Sequence, residues 1–123
     1  MTRNLFVSLT MGILMISGHL QHAVASPVGK TFRAESGRHI KVSNCDGGLG
    51  MTIVKSTDAS HVGKQIMCGA EQTGDNQWSG TILNVDDGKS YTGKASLSGD
   101  VLSVSGCILG GLICKTQKWP LVN

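Results

Sequence analysis

The chain has 123 residues, including 17 Gly, four Cys and only five aromatic side chains, and its formal net charge is +3 at pH 7. This length allows one small domain and excludes a cofactor domain joined to a separate substrate domain. Apolar residues make up 40% and charged residues 15% of the chain, which argues against disorder, collagen and coiled coil. The composition therefore favours a β-rich globular domain with many turns.

The N-terminal 25 residues have the pattern of a secretory signal peptide. Arg3 precedes an almost uncharged apolar run at 5–20, and an Ala-Val-Ala sequence that ends at Ala25 supplies the small residues of a cleavage site. A membrane anchor would need about 20 sustained apolar residues, whereas Ser, Thr, Gly and His interrupt this run. We therefore predict a signal peptide at 1–25 and a single exported domain at 26–123.

Eight short runs in the exported part, each ended by turn residues, are typical of β-strands. The sixth shows the clearest alternation, because Tyr91, Ala95 and Leu97 share one face while polar residues take the other. No run of about 11 residues keeps a helical apolar period, so we predict an all-β, antiparallel up-and-down barrel. The predicted strands lie at 30–35, 38–44, 49–56, 64–70, 77–84, 89–97, 101–107 and 113–119.

An even number of cysteines in a small exported domain is typical of structural disulfides. A two-residue turn at Gly110-Gly111 would pair the two flanking leucines and place Cys107 opposite Cys114, at about 5 Å between Cα atoms, which a disulfide can bridge. We therefore predict a Cys107–Cys114 disulfide, which leaves Cys45 to pair with Cys68.

Metal binding and redox catalysis are the competing roles for these thiols. The sequence has no C-x-x-C motif and no Cys/His cluster at zinc spacing, and the exported part has only His39 and His61. We predict no metal site and no cofactor.

The exported part has ten Lys and Arg against eight Asp and Glu, without a block of like charge. We therefore predict no nucleic-acid partner. The signal peptide predicts a periplasmic or secreted protein, with no stable membrane insertion of the mature chain.

Several stretches resemble the bacterial exported family known as domain of unknown function 2147, in its short disulfide-containing form. The first strand fits as well, with Phe32 standing where the family's opening Gly-x-Trp usually has Trp. The resemblance implies a small lipocalin-like barrel in a Gram-negative bacterium, and it implies no activity. The stretches are Trp78-Ser-Gly-Thr-Ile, Asp87-Gly-Lys-Ser-Tyr91, Gly99-Asp-Val-Leu-Ser-Val-Ser-Gly-Cys107 and Gly110-Gly-Leu-Ile-Cys-Lys-Thr-Gln-Lys-Trp119.

The chain departs from that family pattern at two places. Gly50 stands where the short form usually has a second Cys, and the surplus Cys68 suggests that the disulfide partner has moved to a neighbouring strand. The closing motif is Trp-Pro-Leu, ending at Leu121, instead of Trp-Thr-Arg. The Arg that can stack across the opening aromatic in such barrels is therefore missing.

Sequence motifs of enzymes are absent. The chain has no G-x-S-x-G elbow, no Gly-rich phosphate loop and no H-E-x-x-H motif. Asp86 and Asp87 are adjacent on a predicted turn and point apart, so they do not suit paired acid/base catalysis. The same stretch lacks the alternating oxygens, the Gly at the sixth position and the distal Glu of an EF-hand calcium loop. We predict that the protein is not an enzyme.

Two classes of function stay open. In the first, the barrel mouth binds a small apolar or amphipathic ligand, although the few apolar residues could instead fill the interior. In the second, the protein is an envelope protein-interaction module, because lysozyme-inhibiting barrels present a Ser-Gly-x-x-Tyr loop that 87–91 partly resembles. The candidate ligand or interaction residues are Trp78, Lys89, Ser90, Tyr91 and Trp119.

Overall fold

Eight antiparallel strands, each hydrogen-bonded to its neighbour in sequence, form a nearly closed barrel in the computed structural model. The structure describes residues 26–123, and the predicted signal peptide at 1–25 lies outside them. The prediction of an all-β barrel is confirmed. The strands are β1 (Thr31–Arg33), β2 (His39–Cys45), β3 (Gly48–Lys55), β4 (Gln65–Gly74), β5 (Gln77–Asn84), β6 (Lys89–Ser98), β7 (Val101–Ile108) and β8 (Ile113–Pro120).

Alternation of apolar and polar residues decides which face of each strand points inward. In β2, Ile40 and Val42 are buried while Lys41 between them is exposed, and β6 repeats this with Ala95 and Leu97. Helical structure in the described chain is limited to two three-residue 3-10 turns.

The connections alternate between the two ends of the barrel, as an up-and-down topology requires. We call the end with the β1–β2, β3–β4, β5–β6 and β7–β8 connections the open end, and the other the closed end. The core that packs towards the closed end includes Phe32, Val42, Leu49, Met51 and Leu102, all at most 2% exposed.

Main-chain hydrogen bonds between β1 and the C-terminal residues close the barrel. Thr31 N donates to Asn123 O at 2.8 Å, Val122 N donates to Thr31 O at 2.7 Å, and Phe32 pairs with Leu121. Closure therefore does not need the Arg that is missing from the closing motif. Because β1 has only three residues, it pairs with the chain after β8 and leaves most of β8 bonded to β7 alone.

The Cys45–Cys68 disulfide connects β2 to β4 across the intervening strand β3. Gly50 of β3 makes this crossing possible, since a Cβ there would lie 2.6 Å from Cys45 Cβ and 3.2 Å from Ser43 Oγ. The predicted pairing is confirmed. The partner cysteine lies on the strand next to Gly50, as the departure from the family pattern suggested.

The Cys107–Cys114 disulfide joins directly opposed residues of β7 and β8, with 4.1 Å between the Cα atoms, which confirms the second pairing. The predicted turn at Gly110-Gly111 is present, because both glycines have positive φ and Leu112 N donates to Leu109 O at 3.2 Å. The predicted pairing of the two leucines is wrong, since the strand ladder ends one pair earlier, at Ile108 and Ile113. Leu109 has a φ of 54°, so both leucines leave the ladder and face solvent.

Candidate functional site

A cavity of about 690 Å³ opens at the open end of the barrel. Its inner wall is apolar and comes from the inward faces of β2, β3, β5 and β7 together with the start of β4. The main apolar wall residues are Ile40, Ile53, Ile66, Ile82 and Val104. An interior of this kind can bury the apolar part of a small molecule.

Trp119 of β8 also lines the cavity, and it is buried. Its indole Nε1 donates a hydrogen bond to Gln117 Oε1 at 2.7 Å, so the polar atom of the ring is satisfied and the ring offers an apolar surface. From the rim inwards, β8 contributes Ile113, Lys115, Gln117 and Trp119 to the lining.

An ion pair between Arg38 and Asp86 links two loops at the rim. Arg38 donates from Nη2 to Asp86 Oδ1 at 2.6 Å and from Nη1 to Oδ2 at 3.1 Å, a two-pronged geometry that ties the β1–β2 connection to the β5–β6 connection. The hydrogen bond from Arg38 lowers the pKa of the Asp86 carboxyl below its ordinary value. The side chains are 19% and 61% exposed respectively, so solvent screens the pair on the Asp86 side.

Arg38 lines the cavity, and Asp86 accepts only two of the five N–H groups of its guanidinium. Its Nε is buried, has no hydrogen-bond partner among the described residues and lies out of reach of a ligand. On the other side of the guanidinium, Nη2 lies 3.4 Å from His61 Nδ1, and His61 Nε2 lies 3.4 Å from Asp58 Oδ2. The N–H groups of Nη1 and Nη2 that Asp86 does not use can therefore donate to a ligand at the rim.

The neighbouring carboxylate, Asp87, serves a different partner. It accepts hydrogen bonds from the Tyr91 hydroxyl and from Lys89 N, the latter at 2.8 Å. The bond from Tyr91 lowers the pKa of Asp87, and the same bond raises the pKa of Tyr91. Asp86 and Asp87 thus point to separate partners, as expected for a turn. Gly88, with a φ of 72°, completes it.

Of the five candidate ligand or interaction residues, two line the cavity, Tyr91 and Trp119. Lys89 and Ser90 are exposed and do not line it. Trp78 is half-buried, packs against the core and lies outside the cavity lining.

Sequence reasoning missed Arg38, Ile66 and Lys115 as lining residues. Alternation in β2 and β8 could have placed Arg38 and Lys115 on the inward face, because they share the parity of Ile40 and Trp119. No local signal connects Arg38 with Asp86, which lies 48 positions away.

Within 26–123, one group of three side chains has metal-ligand atoms close together: Cys45, Asp46 and Cys68. The two sulfurs are joined in a disulfide and offer no thiolate while that bond persists. This group therefore does not form a metal site in the oxidised protein.

Sequence comparison places this barrel in a family. The model of the family described as "Uncharacterized protein conserved in bacteria (DUF2147)" matches residues 29–120, which span all eight strands. The chain belongs to this family. Comparison of the chain with curated proteins found no match, and comparison with solved structures found none either. In the part of the chain that the structure describes, no helix has the length and apolar character needed to cross a membrane.

Proposed function

We propose that the protein is an exported, non-enzymatic binding module that takes one small amphipathic molecule into the open end of its barrel. The observation that carries this proposal is the cavity of about 690 Å³, which is apolar inside and polar at the rim. Its volume is in the range of small-molecule sites, about 300–1,000 Å³. The two disulfides suit a bacterial protein that acts in the periplasm or outside the cell.

Burial of the ligand's apolar part against the cavity wall makes the main contribution to affinity. Each methylene group that moves from water into contact with residues such as Ile53 and Ile82 contributes about 0.8 kcal/mol, or about fourfold in affinity. Affinity should therefore rise with the length of an aliphatic chain until the cavity is full.

The rim favours a ligand with a polar group that accepts a hydrogen bond. This group does not have to be ionised. The donors are the N–H groups of the Arg38 terminal nitrogens that Asp86 does not accept, while the charge of the guanidinium is already balanced by Asp86. A hydroxyl or carbonyl oxygen can accept from one of them without bringing a second negative charge close to the Asp86 carboxylate. We therefore assign the ligand to amphipathic molecules whose polar group accepts hydrogen bonds; long-chain alcohols and esters are neutral examples, and Lys115 in the lining also suits a carboxylate.

Displacement of the fluorescent probe N-phenyl-1-naphthylamine by 1-alkanols of increasing length tests the proposal. We expect the probe to bind and each added methylene to tighten the alkanol about fourfold. Ile82→Phe, which fills part of the cavity, should weaken binding. Thr81→Phe, on the outer face of the same strand, should leave the affinity for alkanols unchanged. Failure of the probe and of every alkanol to bind would contradict the proposal.

Arg38→Met combined with Asp86→Asn isolates the contribution of the rim. The pair removes the guanidinium donors without leaving an unpaired carboxylate, so alkanol affinity should fall about three- to tenfold, the size of one hydrogen bond. An alkane probe of equal length should bind both proteins equally, because it has no acceptor.

The alternative function is that of an envelope protein-interaction module, similar to a lysozyme inhibitor. The observation in its favour is the exposure of Lys89 and Ser90 on a hairpin stiffened by the Asp87–Tyr91 hydrogen bond. We expect the wild type to leave lysozyme active in a titration. Stoichiometric inhibition that Lys89→Ala or Ser90→Ala relieves would favour this alternative over the cavity.

A further inference from the structure

Exposed apolar side chains concentrate at the end of the β7–β8 hairpin. Of the seven large apolar residues exposed in the described chain, four lie here within six consecutive positions: Ile108, Leu109, Leu112 and Ile113. Leu109 is 66% and Leu112 84% exposed. We call these four residues the tip patch. Clustered apolar exposure of this kind marks an interaction site.

The tip patch is held in this exposed arrangement. The Cys107–Cys114 disulfide fixes its base, and the bond from Leu112 N to Leu109 O closes the turn. Positive φ angles at three successive residues, 109–111, turn the chain so that neither leucine faces the barrel interior. The leucines therefore meet a partner without first rearranging, which lowers the entropic cost of binding.

Positive charge adjoins the tip patch. A Cβ on Gly111 would lie 3.5 Å from Lys94 Nζ, so this ammonium group rests against the turn, and Lys115 follows Cys114 at the rim. At the same end, the Asp86 carboxylate is paired with Arg38, while Asp87 keeps its negative charge and accepts a hydrogen bond from Tyr91. Apolar side chains beside free ammonium groups are complementary to a membrane surface with anionic headgroups.

The shape of the tip patch favours a lipid surface over a folded protein. It is a single projecting turn, whereas a stable protein interface buries about 800 Å² on each partner. Insertion into the headgroup region needs only a few apolar side chains assisted by basic residues.

We propose that the tip patch docks on an anionic lipid bilayer and brings the open end of the barrel to the membrane. Leu109 and Leu112 insert between headgroups, and Lys94 lies among the lipid phosphates. Ile108 and Ile113 of the tip patch also line the cavity at its rim, whereas Leu109 and Leu112 do not. The inference goes beyond the proposed function and does not depend on it, because the two leucines carry the docking. If both hold, amphipathic molecules can pass between bilayer and cavity without crossing bulk water.

Flotation with lipid vesicles tests the proposal on the mature protein with both disulfides intact. We expect binding to phosphatidylcholine vesicles that contain phosphatidylglycerol, weaker binding without it, and weakening by salt. Leu109→Ser combined with Leu112→Ser should reduce binding at least about tenfold. Val122→Ser is the matched control, since Val122 is 40% exposed at the closed end, and it should bind like the wild type.

Lys94→Gln should reduce binding to the phosphatidylglycerol vesicles about fivefold. Lys41→Gln removes an exposed charge from β2, away from the tip, and should have little effect. Equal binding by the wild type and the double serine variant would overturn the proposal, as would absence of wild-type binding. A dimer that the double variant abolishes, without vesicle binding, would assign the tip patch to a second copy of the chain and overturn it too.

Displacement of N-phenyl-1-naphthylamine by alkanols, repeated on the double serine variant, keeps the two proposals apart. The variant should retain wild-type affinity for alkanols while it loses the vesicles. Loss of vesicle binding with the cavity intact is the expected pattern. Retained vesicle binding with loss of alkanol binding would overturn the docking proposal and leave the cavity proposal standing.

Discussion

The two ends of the barrel differ in what their side chains contact. Towards the closed end, Phe32 and Leu102 are completely buried and belong to a packed core. At the open end, Ile66 and Ile82 have a cavity on one side. The packed core towards the closed end thus supplies stability. The open end instead keeps a cavity. The same division separates the sites where substitutions affect folding from those where they affect binding.

Core substitutions at the two ends should show the largest contrast. Phe32→Ala should reduce the free energy of unfolding by about 3–5 kcal/mol, because it leaves a void in a packed region. Ile82→Ala should cost less, about 1–2 kcal/mol, because its lost methyl groups already border open space. Urea unfolding measures both, and Phe32→Leu replaces the alanine variant if that variant does not fold. Equal losses at the two ends would show that the cavity wall is as tightly packed as the core.

The disulfides provide the second contrast. Replacement of Cys45 and Cys68 by Ser should cost about 3.4 kcal/mol, and replacement of Cys107 and Cys114 about 2.5 kcal/mol, because the first pair closes the longer loop in the unfolded chain. The urea midpoints of the two double variants show which disulfide contributes more to stability. The reverse order would mean that the disulfide at the tip stabilises the folded state itself and does not act only through chain entropy.

Two glycines differ in how much room the structure leaves for a Cβ atom, which permits a matched test. Gly50→Ala should cost about 1–3 kcal/mol, because the new Cβ would lie 2.6 Å from Cys45 Cβ beneath the disulfide. Gly106→Ala at the open end should cost less, because the nearest atom to its new Cβ is 3.8 Å away. Thermal unfolding of both variants checks the difference. A neutral Gly50→Ala would indicate that β2 and β3 can separate at the crossing.

The smallest expected effect belongs to the rim ion pair. Because the bond from Arg38 lowers the folded-state pKa of Asp86, the pair stabilises the protein above the unfolded Asp pKa of about 3.9 and loses this contribution as the pH falls through the lower folded value. Its size should be under about 1 kcal/mol, since Asp86 is largely exposed. Urea unfolding of the wild type and Asp86→Asn at neutral pH should show the difference, which should vanish in acid. In an Arg38→Gln background, Asp86→Asn should have little effect at either pH.

Strand positions could be predicted from the sequence where turns and alternation agree. β5 has the predicted bounds 77–84, because turn residues flank an apolar-polar alternation on both sides. β1 is shorter than the predicted 30–35, since Ala34 N already bonds to Arg38 O within the turn. β4 runs on to Gly74 past its last buried residue, so its exposed end carried no apolar pattern.

The site was less predictable than the fold because it depends on contacts between distant parts of the chain. The cysteine pairing could be found from one hairpin and the even count. Whether the interior is filled or open depends on the packing of side chains from every strand, which local periodicity does not encode. A Gly-Gly turn predicts that the flanking Leu109 and Leu112 pair in the ladder, but the positive φ of Leu109 ends the ladder one pair earlier and exposes both leucines.

Every strand pairs with its immediate neighbour in sequence, so the sheet can form hairpin by hairpin. Each such step closes a short loop at a small entropic cost. The exception is the seam between β1 and the C-terminal residues, which includes the contact between Phe32 and Leu121 and joins the two ends of the barrel domain. We therefore expect this contact to form last in folding, so that a curved, open sheet precedes the barrel and a late kinetic phase reports its closure.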